Sequence, residues 1–208
     1  MSGNMGIVRE IASYLLTMGV YMLAALPVYL ILRLVWLSFS KRSQTIRIGH
    51  EIGHLLFVLY CVGLASLTVL PEPGHGPLAF STEKLTLNPI RVIWITIHSF
   101  RQGNPWMFVI NFLGNIAIFL PIGFAVAMLW HGKWWAAFVT GCLSSLLIEF
   151  IQLFIGRTSD VADVILNTVG ALLGWALGSL LLRCPGFSHN RNRNKKKRKP
   201  HKGHRILR

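Results

Sequence analysis

The stretch DVILNTVGALLGWALG, residues 163–178, decides how the rest of the chain is read. Asp163, Asn167, Gly170, Gly174 and Gly178 recur at spacings of 4, 3, 4 and 4, so on a helix they form a single stripe. An apolar helix with small residues along one stripe suits close approach to another helix inside a lipid bilayer. We read the glycine repeat as intramolecular packing in preference to a dimer contact. The polar members of the stripe stand together at one end.

Working outward, five stretches have the roughly 20 apolar residues that a membrane span requires. They are Tyr14–Leu37, Ile52–Leu70, Met107–Trp130, Trp134–Ile155 and Val164–Leu182. Helix is the form expected of each, because a backbone in lipid has to satisfy its own hydrogen bonds. Pro27 and Pro121 predict kinks in the first and third spans. Trp106, Trp130, Trp134 and Trp135 fall at span ends, where an indole prefers to sit. The apolar run after Arg9 and Glu10 is too long for a signal peptide core and shows no small-residue cleavage site, so it is read as a retained span. Between the second and third spans, Pro71–Pro77 is turn-rich. Asn88-Pro89 then offers a helix start, and Ile90, Ile93, Trp94, Ile97 and Phe100 follow at helical spacing. The predicted fold class is all-α: a polytopic membrane helix bundle of about five transmembrane helices plus one interfacial amphipathic helix.

Composition agrees with this reading. The 208 residues are 53% hydrophobic and only 13% charged, about half the charge usual for a soluble domain. The net charge of +14 would suggest nucleic acid as a partner if it were spread over the chain. Of the 21 Lys and Arg, however, 11 lie from Arg183 onward with no acid among them, so the body is near neutral. Residues 1–187 form the predicted transmembrane domain and 188–208 a disordered basic tail. The bilayer is the expected partner, with anionic lipids at the tail and no nucleic acid. Cys61, Cys142 and Cys184 lack metal-like spacing, and the first two read as packing residues. If the tail is cytoplasmic, 15 Lys and Arg lie inside and 5 outside, with Arg33 near an inner helix end. This positive-inside bias predicts a multi-pass protein of the bacterial cell membrane with a cytoplasmic C-terminus and an external N-terminus.

That topology gathers polar residues from distant parts of the chain. Span three enters from outside carrying Asn111 and Asn115; span four leaves carrying Glu149 and Gln152; span five enters with Asp163 and Asn167. Arg157 and Asp160 occupy the short loop between the last two. Polar side chains are costly in lipid and normally face the protein interior or a wet cavity. The eight residues therefore predict one cluster at the outer leaflet. It reads either as a clamp, with Arg157 pairing with Glu149 or Asp163, or as a ligand site in which Arg157 meets phosphate or carboxylate. No histidine or cysteine accompanies the cluster, so no catalytic residue is assigned and no cofactor is implied.

His50-Glu51-Ile52-Gly53-His54 competes for attention as H-E-x-x-H, the pattern in which two helix-borne histidines hold zinc and the glutamate activates water. The motif falls at the inner surface, with only His131 available nearby as a third ligand, while Glu149, Asp160 and Asp163 lie at the outer one. No metal site is assigned on that ground; His50 and His54 stand as the alternative, which would make the chain an intramembrane zinc protease.

The ordered set Asn88-Pro89-Ile90-Arg91, Asn111-Phe112-Leu113-Gly114-Asn115-Ile116, Phe119-Leu120-Pro121-Ile122-Gly123-Phe124, Glu149-Phe150-Ile151-Gln152-Leu153-Phe154, Gly156-Arg157, Asp160-Val161-Ala162-Asp163-Val164 and Asn167-Thr168-Val169-Gly170 resembles the VanZ-like family of bacterial membrane proteins. The resemblance extends to Gly178; the first two spans share only placement and apolarity with the family, and the tail is not part of the pattern. The family's founding member contributes to teicoplanin resistance by a route other than remodelling the cell-wall precursor. The resemblance thus implies a cell-envelope role and no known reaction; together with the polar cluster it leads us to expect a non-enzymatic protein whose outer-leaflet pocket engages a lipid-linked cell-wall precursor or a glycopeptide-like molecule. Transport of a lipid carrier is the alternative.

Overall fold

The structure is a computed structural model that describes residues 2–39, 48–71, 80, 82, 85–102 and 109–183. Trp106, Lys41, Arg42, Arg47, Lys84, most of the turn-rich segment after Pro71, Cys184 and the whole basic tail with its boundary at 187/188 lie outside the described residues.

Six α-helices account for most of these residues: α1 Ser2–Phe39, α2 Ile48–Thr68, α3 Pro89–Arg101, α4 Asn115–Met128, α5 Trp134–Gln152 and α6 Val161–Arg183. All but α3 are long and apolar enough to cross a membrane, α4 together with the residues just before it. A π-helical turn, Val109–Gly114, leads into α4. Pro27 and Pro121 both lie within continuous helical segments. Because proline lacks an N–H, the carbonyl of Ala117 loses its usual donor. One residue on, the Tyr60 hydroxyl from α2 donates to the Ile118 carbonyl.

The centre of the bundle is made by glycine. A Cβ at Gly170 would run into the backbone carbonyl of Ile116, one at Gly174 into that of Leu120, and one at Gly123 into that of Ala171. Thus α4 and α6 touch backbone to backbone, which only glycine at these positions permits. Gly141 brings α5 onto the same helix, where a Cβ would meet the Ala171 methyl at 2.7 Å. The stripe on α6 is therefore an intramolecular packing surface. Around it Leu64, Phe119 and Ile122 form the apolar core, with Phe57, Tyr60, Ile118 and Ile148 packed against them.

Helix α1 stands at the periphery. None of its described side chains is buried, and it packs on α2 through Met18 and Met22, which lie over Gly63. Helix α3 begins at Pro89, directly after the expected cap Asn88. Its Ile90, Trp94 and Ile97 are 76%, 62% and 42% exposed, an apolar face of the kind that lies along a membrane surface. Two short strands, β1 Leu85–Thr86 and β2 Ser159–Asp160, pair in parallel with Thr86 opposite Asp160. This pairing ties the loop ahead of α3 to the connection between α5 and α6.

The contrast between glycines is testable. Gly174→Ala should lower unfolding stability by about 3 kcal/mol, because the clash is with backbone and cannot be relieved by a rotamer change. Gly19→Ala, where a Cβ meets nothing within 4 Å, should be neutral. Thermal unfolding of both variants in detergent micelles checks the pair.

Candidate functional site

The polar residues gather where α5 ends and α6 begins. Four of them meet directly. Asn115 donates through its Nδ2 to Asp163 Oδ1 at 2.5 Å, joining α4 to α6. The backbone N–H of Asp160 donates to Glu149 Oε2 at 2.7 Å, and the Ser159 hydroxyl donates to the same carboxylate. Asp160 in turn caps α6, accepting the Ala162 N–H at 2.8 Å; such caps contribute about 1 kcal/mol. Burial pushes the Asp160 carboxyl above its usual range, while the Ala162 N–H opposes the shift. One turn deeper, Asn167 Nδ2 donates to Ser145 Oγ at 2.8 Å, linking α6 to α5 within the buried interior.

Gln152 and Arg157 belong to the site by position but turn toward α2. A helix leaves its last carbonyls without intrahelical donors. Gln152 Nε2 donates to the Thr68 carbonyl at 3.1 Å and Arg157 Nη1 to the Leu67 carbonyl at 2.8 Å. The expected pairing of Arg157 with Glu149 or Asp163 does not occur. Glu149 is supplied by Asp160 and Ser159, whereas the end of α2 presents bare carbonyls and the negative end of its dipole, which favour a cation. Gly156, at φ 70°, makes the turn that permits this, and the Arg157 N–H closes it onto the Gln152 carbonyl at 3.2 Å. Asn111 sits exposed in the π-helical turn, and it is Asn115 that reaches into the cluster.

Two features were not foreseen. Ser159 and the carbonyls of Leu67 and Thr68 supply three of the cluster's bonds, and backbone partners leave no compositional trace. Second, Gln152 Oε1 and Asn167 Oδ1 are buried with no hydrogen-bond partner among the described residues. Both side chains are more than nine-tenths buried, at 8% and 4% exposure. Glu149, Asp160 and Asp163 likewise form no ion pair among the described residues, where the pair present is Arg33–Glu51. The site is consequently rich in acceptors.

The H-E-x-x-H segment has a different use. Arg33 grips Glu51 with both ends of its fork, Nε to Oε2 at 2.8 Å and Nη2 to Oε1 at 2.5 Å, while stacking over Trp36 at 4.5 Å. Both carboxylate oxygens are thereby committed to α1, so Glu51 could activate a water only by surrendering this pair. His50 lies 3.1 Å from the Leu129 carbonyl, and the His54 ring packs edge-on against both His50 and Trp130. The signal for the pair was present in the sequence: two ionisable residues at neighbouring ends of consecutive spans require each other.

Five long apolar helices and a polar cluster at one end of the bundle define a multi-pass membrane protein. A family model described as VanZ/LLP1 matches residues 57–182, more than half of the chain, which therefore belongs to the VanZ-like family. Helix α1 and the start of α2 lie outside the matched region. Among curated proteins and among solved structures, nothing matches the chain.

Removing one partner of the α1–α2 ion pair should be worse than removing both. Glu51→Gln is expected to lower stability by about 1 kcal/mol, and the double change of Arg33 and Glu51 to methionine to recover most of it. A thermal-unfolding cycle in micelles measures the coupling; additive losses would show that the pair contributes none.

Proposed function

We propose that this VanZ-like protein is a non-enzymatic component of the bacterial cell envelope whose Glu149–Asp160–Asp163 cluster engages the polar part of a lipid-linked cell-wall precursor or a glycopeptide-like molecule. Altered susceptibility to teicoplanin-type antibiotics is the expected consequence. The cluster faces outward in this reading, with the N-terminus outside and the basic tail at the cytoplasmic leaflet. The tail there associates with anionic lipids, in keeping with the positive-inside bias.

One observation carries the reading: two buried amide oxygens, on Gln152 and Asn167, lack partners beside three carboxylates that have no countercharge among the described residues. A buried acceptor without a donor is destabilising by about 1–3 kcal/mol, which favours a donor-bearing group at this end of the bundle. A ligand offering ammonium, amide N–H or hydroxyl groups would fill this deficit. Sugar and peptide portions of cell-wall precursors and glycopeptides carry such donors in abundance. The recognition thus runs from ligand donors to protein acceptors, with Arg157 serving as the strut that holds the loop against α2.

Glu149→Gln and Asp163→Asn are the informative substitutions, because each keeps an oxygen for the Asp160 or Asn115 donor while replacing the carboxyl group by an amide. Each should reduce binding of a lipid-linked cell-wall precursor or of teicoplanin at least tenfold and abolish the antibiotic phenotype, at normal membrane abundance. A loss of abundance with binding per molecule unchanged would show that the cluster is a clamp and nothing more.

A further inference from the structure

At the opposite end of the bundle from the carboxylates, a cavity of about 250 Å³ opens between the end of α4, the turn before α5 and the last turn of α6. Ala127, His131, Gly132, Ser179, Leu182 and Arg183 line it. The carboxylate cluster is rich in acceptors; this cavity presents donors. Ser179 and Arg183 are spaced i,i+4 and so project from one face of α6. The lining contains no acid, and Lys133 stands exposed on the same turn.

The turn that brings His131 to the cavity is specifically held. His131 adopts a left-handed backbone, φ 52°, which is uncommon for a residue with a side chain. Its neighbour Gly132 is fixed from both sides: the Gly132 N–H donates to the Val126 carbonyl at 2.9 Å, and the Trp175 indole donates to the Gly132 carbonyl at 2.9 Å. A backbone conformation of this kind persists only where its surroundings enforce it, and here it sets an imidazole beside a guanidinium and a hydroxyl.

We infer that the His131–Ser179–Arg183 cavity is a binding site for a phosphate-type anion, supplied by a phospholipid headgroup or by free phosphate. Arg183 contributes a planar fork matched to phosphate oxygens, and Ser179 and His131 contribute single donors in either protonation state of the ring. The cavity lies where α4 and α6 end and α5 begins, the level at which spanning helices are expected to meet lipid headgroups. It is separate from the proposed ligand cluster.

The test uses the full chain in nanodiscs of phosphatidylcholine containing a minor fraction of phosphatidylglycerol. Native mass spectrometry of the released protein should show phosphatidylglycerol retained in preference to phosphatidylcholine. His131→Asn, a residue that tolerates the left-handed turn, and Arg183→Gln should each lower that preference about fivefold. Lys133→Gln, which changes charge on the same face without lining the cavity, should leave it within about twofold. Absence of preference in the parent chain, or an equal loss with Lys133→Gln, would overturn the site in favour of diffuse surface charge. Inorganic phosphate added to protein in pure phosphatidylcholine separates the two sources. A rise in thermal midpoint that His131→Asn abolishes marks free phosphate as an occupant. No response, with the phosphatidylglycerol preference intact, assigns the site to the headgroup.

Discussion

Contact between the backbones of α4 and α6 is the constraint from which the rest of this molecule follows. In a bilayer, apolar side chains gain nothing by leaving lipid for protein, so helices associate through close packing and hydrogen bonds. Gly170 and Gly174 against the carbonyls of Ile116 and Leu120, and Gly123 against that of Ala171, give that closeness over two turns. Once the axes are set so near, the positions continuing the same stripe on α6, Asn167 and Asp163, are brought to Ser145 on α5 and Asn115 on α4. The glycines and the polar residues are thus two parts of one surface, apolar and tight in the middle, hydrogen-bonded at the end.

Attachment of the remaining helices proceeds by a different principle, the capping of exposed helix ends and charges. Arg157 and Gln152 satisfy the last carbonyls of α2, so the loop beside the carboxylates also holds the second span. At the other end of α2, Glu51 takes Arg33 from α1. The first helix is joined to the bundle through α2, which accords with a family match that begins at residue 57 and passes α1 by. The order of dependence runs from α4–α6 to α5, then α2, then α1.

The sequence was legible wherever periodicity or solvent decided the outcome. Five apolar lengths located the spans, the 4, 3, 4, 4 spacing identified the packing face of α6, and Asn88-Pro89 placed the start of α3. Asn115, Glu149, Asp160 and Asp163 could be grouped because topology alone brings their helix ends together. Their partners could not be assigned, since Arg157 chooses between carboxylates and backbone carbonyls according to where α2 stops, and a helix end three residues earlier or later would change the answer. The same difficulty hid Ser159, whose position depends on a two-residue strand pair with Leu85 that no pattern announces. Glu51 was misleading for a further reason: a motif defined by its neighbours along one helix is indifferent to the residue facing it from another, and here that residue is Arg33.

The carboxyl groups of the cluster call for a separate argument from its hydrogen bonds. Every described bond made by the Glu149 and Asp163 side chains uses an oxygen as acceptor, from Asp160, Ser159 and Asn115. Glutamine and asparagine amides present the same oxygen and avoid the expense of a carboxylate in a poorly solvated position, which insertion scales place at a few kcal/mol. Clamping the helices therefore accounts for the polar atoms and leaves the acidity unexplained. Arg157 does not neutralise it, because its described contact is with the carbonyl of Leu67. Add the oxygens of Gln152 and Asn167, unmatched among the described residues, and the deficit there is one of donors. In the proposed reading, a ligand that brings donors would answer both the acidity and the orphaned amides, so the polarity of the site, more than its position, is what supports recognition over scaffolding.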